Sequence, residues 1–370
     1  MNQNLRYSPL IFLSLFFITF VGCKTTRVAT SAKLSNLSAK SAKFRFVGRV
    51  DSSATDYVRI FWPGTAIHLH YTGRDAKVEL KDQKGENYLN VVVDHGEPSV
   101  IKLDSLKHWY ELTTDLPKGE HTISIYKRTE WDHGSTDVYG FQVNGDFLEA
   151  PKSSGRVIEF FGNSITTGYA NQDYSGKDQP DGMKTNNYTA YSAMTARALD
   201  ADMICTAKGG IGILVSWFPL IMPEMYNRLD PEDPKSVWDF TKVTPDIVVV
   251  NLFQNDSWLT QKPDYVEFKS RFGDTAPTEK EIIQAYQSFL KQLRSVYPNT
   301  PILCTLGSMD ATKEGSPWPG YIESAVRAMD DERIDTLFFP YKGTAGHPHP
   351  EDHRKMADLL VGKIRLILGW

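Results

Sequence analysis

Apolar residues recur along this chain at two different periods, and the change of period divides it. Between residues 44 and 150 the period is two. Ile67, Leu69 and Tyr71 alternate with His68, His70 and Thr72, Val78 and Leu80 with Glu79 and Lys81, and Ile123 and Ile125 with Thr122 and Ser124. Such alternation sends every second side chain to one face of a strand. Thr72-Gly73-Arg74, Asp94-His95-Gly96 and Pro117-Lys118-Gly119 are turn signals between the runs, and no helical stretch interrupts them. The segment predicts an antiparallel β-sandwich of jelly-roll type.

Ala150-Pro151-Lys152-Ser153-Ser154-Gly155 reads as a linker. Beyond it strands are predicted at 157–161, 203–206, 247–252, 302–306 and 336–339, and helices at 188–199, 281–296, 321–329 and 351–368. The strands are nearly continuous apolar runs, as when helices cover both faces of a sheet. A parallel sheet in a three-layer α/β/α domain follows for residues 156–370. In such sheets ligands bind at the carboxyl ends of the strands.

The first 43 residues follow neither pattern. Arg6 precedes an apolar run over 10–21, about a dozen residues, which suits a signal peptide and is too short to span a bilayer. The run ends in Phe20-Val21-Gly22-Cys23, which resembles a bacterial lipoprotein cleavage box with Cys23 as the lipidated residue. A bacterial cell-envelope location on a lipid anchor is expected, with residues 23–43 as a flexible tether.

With 41% hydrophobic and 23% charged residues and a net charge of −4, the chain is ordinary globular material. The balance excludes the basic surfaces that nucleic acid or a polybasic membrane patch would need. Cys205 and Cys304 sit in apolar strand-like runs and read as buried thiols, with a disulfide between neighbouring strands as the alternative.

Candidate chemistry lies at predicted strand ends. Phe160-Phe161-Gly162-Asn163-Ser164 is a strand running into a turn that exposes a serine. His347-Pro348 precedes the last helix. A serine hydroxyl is a poor nucleophile at neutral pH without such a base. Gly209-Gly210-Ile211-Gly212 and Phe253-Gln254-Asn255-Asp256 follow two further strands. As plain structure, Ser164 and Asn255 could cap helices and Gly210 could serve a tight turn.

Those four blocks, taken in their order along the chain with the histidine block last, resemble the SGNH (GDSL) hydrolases, and among them carbohydrate esterase family 2. The resemblance implies Ser164 as nucleophile, His347 as base, and an oxyanion hole from Ser164, Gly210 and Asn255. It also implies removal of acetyl groups from an acetylated polysaccharide or oligosaccharide, without metal or organic cofactor. Two positions depart from the family: Phe253 stands where Gly is usual, and Thr344 where an acid would complete a triad. The expectation is a Ser-His dyad, with a backbone carbonyl orienting His347. Asp335, Glu351 and Asp352 are the nearest acids in sequence.

Other features carry both a chemical and a plain reading. Trp318, Trp258 and Trp217 could stack on a sugar ring or fill a core. His347-x-His349-x-x-Asp352-His353 faintly resembles a metal-ligand run, but it leads straight into a helix, with little chain left for further ligands. His68 and His70 share one strand face and read as solvent-facing. The rival functions are a lipase-like or thioester-cleaving enzyme with a long acyl channel, and a non-catalytic carbohydrate-binding lipoprotein.

Overall fold

The computed structural model describes Met1, Gln3 and residues 33–370. The apolar run 10–21 of the predicted leader and Cys23 lie outside the described residues. The tether expected to reach residue 43 does not: β1 (Leu34–Ser38) pairs antiparallel with β11 (Thr136–Asn144), Leu34 opposite Asn144 and Ser38 opposite Gly140. A Ser/Asn-rich run gives little strand signal by itself, and backbone pairing with a neighbour supplies it.

Between them lie β2 (Arg45–Val47), β3 (Val50–Asp51), β4 (Val58–Ile60), β5 (Ala66–Gly73) and β6 (Ala76–Asp82). They are followed by β7 (Tyr88–Val93), β8 (Ser99–Lys102), β9 (His108–Thr113) and β10 (Gly119–Lys127). One sheet runs β3-β4-β11-β6-β9 with β1 also on β11, and the other runs β2-β5-β10-β7-β8. Ile67, Leu69, Val78, Leu80, Ile123 and Ile125 from both sheets meet in one core. The period of two is the signature of that face.

The second part is a parallel sheet in the order β13-β12-β14-β15-β16. Its strands are β12 (Val157–Gly162), β13 (Asp202–Ala207), β14 (Ile247–Asn251), β15 (Ile302–Leu306) and β16 (Ile334–Phe338). The helices are α1 (Ser164–Thr167), α2 (Tyr191–Ala198), α3 (Met222–Met225) and α4 (Gln254–Leu259). After them come α5 (Val266–Phe272), α6 (Glu279–Val296), α7 (Trp318–Arg327) and α8 (Pro350–Leu368). One apolar cluster joins the sheet to α6 and α7, a second joins it to α2 and α8, and the layers are therefore α/β/α. The chain leaves β12 for β13 on one side and returns to β14 on the other. That reversal opens a crevice at the carboxyl end of β12, the strand that leads into Ser164.

The two parts share a core. Phe61 and Trp62, after β4, join the cluster containing Phe161 and Val250. Arg49 and Glu159, both fully buried, form an ion pair at 2.8 Å. Cys205 and Cys304 are free thiols on β13 and β15, which are separated by two strands. That spacing rules out the disulfide alternative.

Candidate active site

β12 ends at Gly162, where an added Cβ would lie 2.0 Å from Thr166 Oγ1. Only a bare residue permits the chain to fold back this tightly. Asn163 then caps α1, its Oδ1 accepting the Ile165 N–H at 3.0 Å. Ser164 is thereby the first helical residue, and its Oγ lies 2.8 Å from His347 Nε2. The strand-turn-serine reading and the pairing with His347 both correspond to the geometry.

The dyad does not. The other ring nitrogen of His347, Nδ1, lies 2.8 Å from Asp178 Oδ2, and Asp178 Oδ1 accepts the His347 backbone N–H at 3.0 Å. A carboxylate, and not a backbone carbonyl, orients the ring. Burial pushes the Asp178 carboxyl up, but the hydrogen bond and charge of His347 outweigh it and hold the group below the usual aspartate range. Thr344 plays no such part: its carbonyl and hydroxyl accept from Lys342 Nζ at 2.8 and 2.7 Å. The three acids nearest in sequence are also occupied elsewhere. Asp335 pairs with Lys363, Glu351 accepts from Tyr174 Oη at 3.3 Å, and Asp352 accepts the His349 N–H at 3.3 Å.

Asp178 was missed because it lies 169 residues from His347, in a polar turn-rich loop without periodicity. The loop is built to hold it. Asp173 accepts the N–H groups of Ser175 and Gln179 at 3.1 and 2.8 Å and Lys184 Nζ at 3.2 Å. Arg128, just past β10, donates to the carbonyls of Thr185 and Met183 and to Gln172 Oε1. Asp178 itself is left-handed, at φ +50°, a conformation aspartate tolerates better than most side chains.

Gly210 is also left-handed, at φ +82°. Among the described residues neither its N–H nor that of Ser164 has an acceptor, and both residues line the crevice. Asn255 lines it too. Its Nδ2 donates to the Ile211 carbonyl at 2.8 Å and its Oδ1 accepts from Trp217 Nε1 at 3.1 Å. This fixes the amide orientation and leaves one Nδ2 hydrogen over. Asp256 is fully buried, its carboxyl raised to about 6 by burial. It accepts the N–H groups of Ile213, Leu214 and Val215, so it holds the turn that follows Gly210.

The crevice has a volume of about 610 Å³. Trp217 and Trp258 line it, the latter with Nε1 3.3 Å from Asp310 Oδ2. Trp318 does not. Expected as a sugar platform, it is 6% exposed and packs against Phe253 and Tyr321, ring centroids 5.0 and 5.5 Å away. An apolar ring beside the α7 start is better buried than wetted. The other candidate histidines diverge. His349 stacks on Tyr174 with Nδ1 3.2 Å from the Asn171 carbonyl. His353 is buried, with Nδ1 accepting the Tyr191 N–H at 3.2 Å, and burial drives its pKa down to about 3. His68 bonds Ser124 at 2.8 Å, and His70 faces Glu120 at 3.3 Å.

The fold has relatives among known proteins. Residues 46–151 match the family model described as carbohydrate esterase 2 N-terminal. Cellulase/esterase CelE of Acetivibrio thermocellus is 30% identical over 87% of this chain, although the chain spans only 39% of that relative's length. The chain resembles carbohydrate esterase family 2 over both of its parts. An acetylxylan esterase / glucomannan deacetylase of Cellvibrio japonicus aligns over the full length of both chains at 24% identity. A family 2 carbohydrate esterase from Clostridium thermocellum, solved with cellohexaose, superposes with a TM-score of 0.79. It is 29% identical, over 88% of this chain and 99% of that one.

Proposed function

We propose that this chain is an acetyl esterase acting on an acetylated polysaccharide. The observation that carries the reading is the unbroken series Ser164 Oγ to His347 Nε2 at 2.8 Å and His347 Nδ1 to Asp178 at 2.8 Å, at the wall of an open crevice. In this reading Ser164 Oγ forms a bond to the acetyl carbonyl carbon while its proton passes to His347 Nε2. The oxyanion lies against the N–H groups of Ser164 and Gly210 and the Asn255 amide. The proton then goes to the departing sugar oxygen as the ester C–O bond breaks. Water, deprotonated by His347, releases acetate from the acyl-enzyme. Asp178 keeps the ring in the required tautomer and stabilises the imidazolium.

The glycan substrate is inferred from the activities of the relatives and from Trp217 and Trp258 along an open crevice. The lipase-like rival is disfavoured by the charged lining, which includes Asp132, Asp310 and Lys313. The strand orders β4-β11-β6-β9 and β5-β10-β7-β8 support reading the N-terminal sandwich as a jelly roll. The Phe20-Cys23 box supports display on the bacterial envelope through lipid on Cys23. The test is acetate release from acetylated xylan and glucomannan. Activity that disappears in Ser164→Ala and in His347→Ala is expected. Glycan binding without acetate release would favour the non-catalytic carbohydrate-binding reading.

A further inference from the structure

The stretch that leaves β10 runs Lys127-Arg128-Thr129-Glu130 and carries a carboxylate into the wall of the crevice. Glu130 belongs to the sandwich, yet it is 2% exposed and both its oxygens are bonded to the hydrolase part. Oε1 accepts from Thr167 Oγ1 on α1, the helix that begins with Ser164. Oε2 accepts the Gly209 N–H at 2.9 Å. An added Cβ at Gly209 would lie 2.9 Å from Oε1 and 3.1 Å from Oε2, so the bare residue is what lets the carboxylate approach.

We infer that Glu130 is a positioning residue for the oxyanion hole, an inference that rests on the esterase reading above. The peptide that presents the Gly210 N–H joins Gly209 to Gly210. On one side the Gly209 N–H is held by Glu130. On the other, the Gly210 carbonyl accepts the Trp217 N–H at 3.1 Å. With both ends held, the Gly210 N–H keeps one direction at φ +82°. The same carboxylate holds Thr167, whose hydroxyl also lies 2.9 Å from the Ser164 carbonyl. One side chain from the sandwich therefore touches both the turn that presents the Gly210 N–H and the helix that begins with Ser164. Such preorganised donors need no reorientation when the oxyanion forms.

Charge is not what the site takes from Glu130. A negative group this near a developing oxyanion opposes it. Reach is the useful property, and it is shared by glutamine. In Glu130→Gln, Oε1 can keep the Gly209 N–H while Nε2 donates to Thr167 Oγ1, whose own proton turns to the Ser164 carbonyl. Glu130→Asp keeps the charge but is one methylene too short to span both partners.

The experiment measures 4-nitrophenyl acetate hydrolysis and inhibition by methylboronic acid, which forms a tetrahedral adduct on the serine. Expected is a kcat about ten- to a hundredfold lower in Glu130→Ala and Glu130→Asp, with KM within about threefold and the boronate Ki raised in parallel. Glu130→Gln should stay within about threefold of the unaltered protein. Glu130→Asp guards against an alanine variant that does not fold. The inference is overturned if Glu130→Asp matches the unaltered protein while Glu130→Gln is inactive. It is equally overturned if kcat falls while the boronate Ki holds, the pattern of a purely structural role. Ser164→Ala is run alongside. If the unaltered protein is no faster than Ser164→Ala, the esterase reading fails, whereas activity insensitive to Glu130 fails this inference alone.

Discussion

Asp178 takes a place that the neighbourhood of His347 leaves empty, and it does so through a bidentate contact with the His347 ring and backbone N–H. If that contact sets the tautomer, Asp178→Asn should lower kcat by about 10³–10⁴ at neutral pH. Asp335→Asn, Glu351→Gln and Asp352→Asn should stay within about tenfold, since none of them touches the ring. Steady-state kinetics on one ester separates the two sets. The same residue predicts a pH effect on stability. Its folded pKa lies below the ordinary aspartate value, so its contribution is present above that value and lost as pH falls through the folded one. The melting temperature of Asp178→Asn should lie below that of the unaltered protein at neutral pH and converge with it in acid. A gap that stays constant with pH would contradict the assignment.

At the scale of elements, α4 shows how a substitution can be absorbed without moving the site. Its N-cap Phe253 holds φ +86° and ψ −12°, the conformation that the family's usual glycine would adopt freely. A left-handed L residue costs about 1–2 kcal/mol. The ring is fully buried against Tyr286 and Trp318, centroids 4.7 and 5.0 Å away. Removing a buried Phe side chain costs about 3–5 kcal/mol, more than the strain. Phe253→Gly should therefore lose about 1–4 kcal/mol net, read from the denaturant midpoint. Equal stability would mean that the ring contributes no more than it strains.

At the scale of the whole molecule, sandwich and hydrolase are one packed body. Arg49 on the sandwich side donates to Glu159 on β12 at 2.8 Å and to the carbonyls of Tyr226 and Arg228 at 2.6 and 2.9 Å. Tyr297 Oη completes the Glu159 carboxylate. Removing one partner of a buried pair leaves a charge with no compensation, at a cost of about 3–5 kcal/mol. Arg49→Met should be destabilised by that amount in denaturant titration, and Arg49→Met with Glu159→Gln by less. A double variant worse than the single one would refute the argument. The N-terminal box makes a separate prediction. Cys23→Ala should move the protein from the membrane to the soluble fraction, and labelled fatty acid that never appears on the unaltered chain would refute lipidation.

Local sequence determined what local chemistry can specify. Period two identified the sandwich faces of β5, β6 and β10, and apolar runs identified the parallel strands. Gly162-Asn163-Ser164 marked its turn because bare and capping residues are required there whatever surrounds them. Tertiary structure decided the rest. β1 exists because β11 offers it a backbone ladder, and Trp318 is buried because Phe253 and Tyr321 surround it. Asp178 and Glu130 reach the site by chain reversals of 169 and 79 residues, to His347 and Gly209 respectively. Nothing in the composition of either loop distinguishes these carboxylates from the many that face water. Their roles come from which donors the fold places within about 3 Å of them, and that distance belongs to the packed molecule.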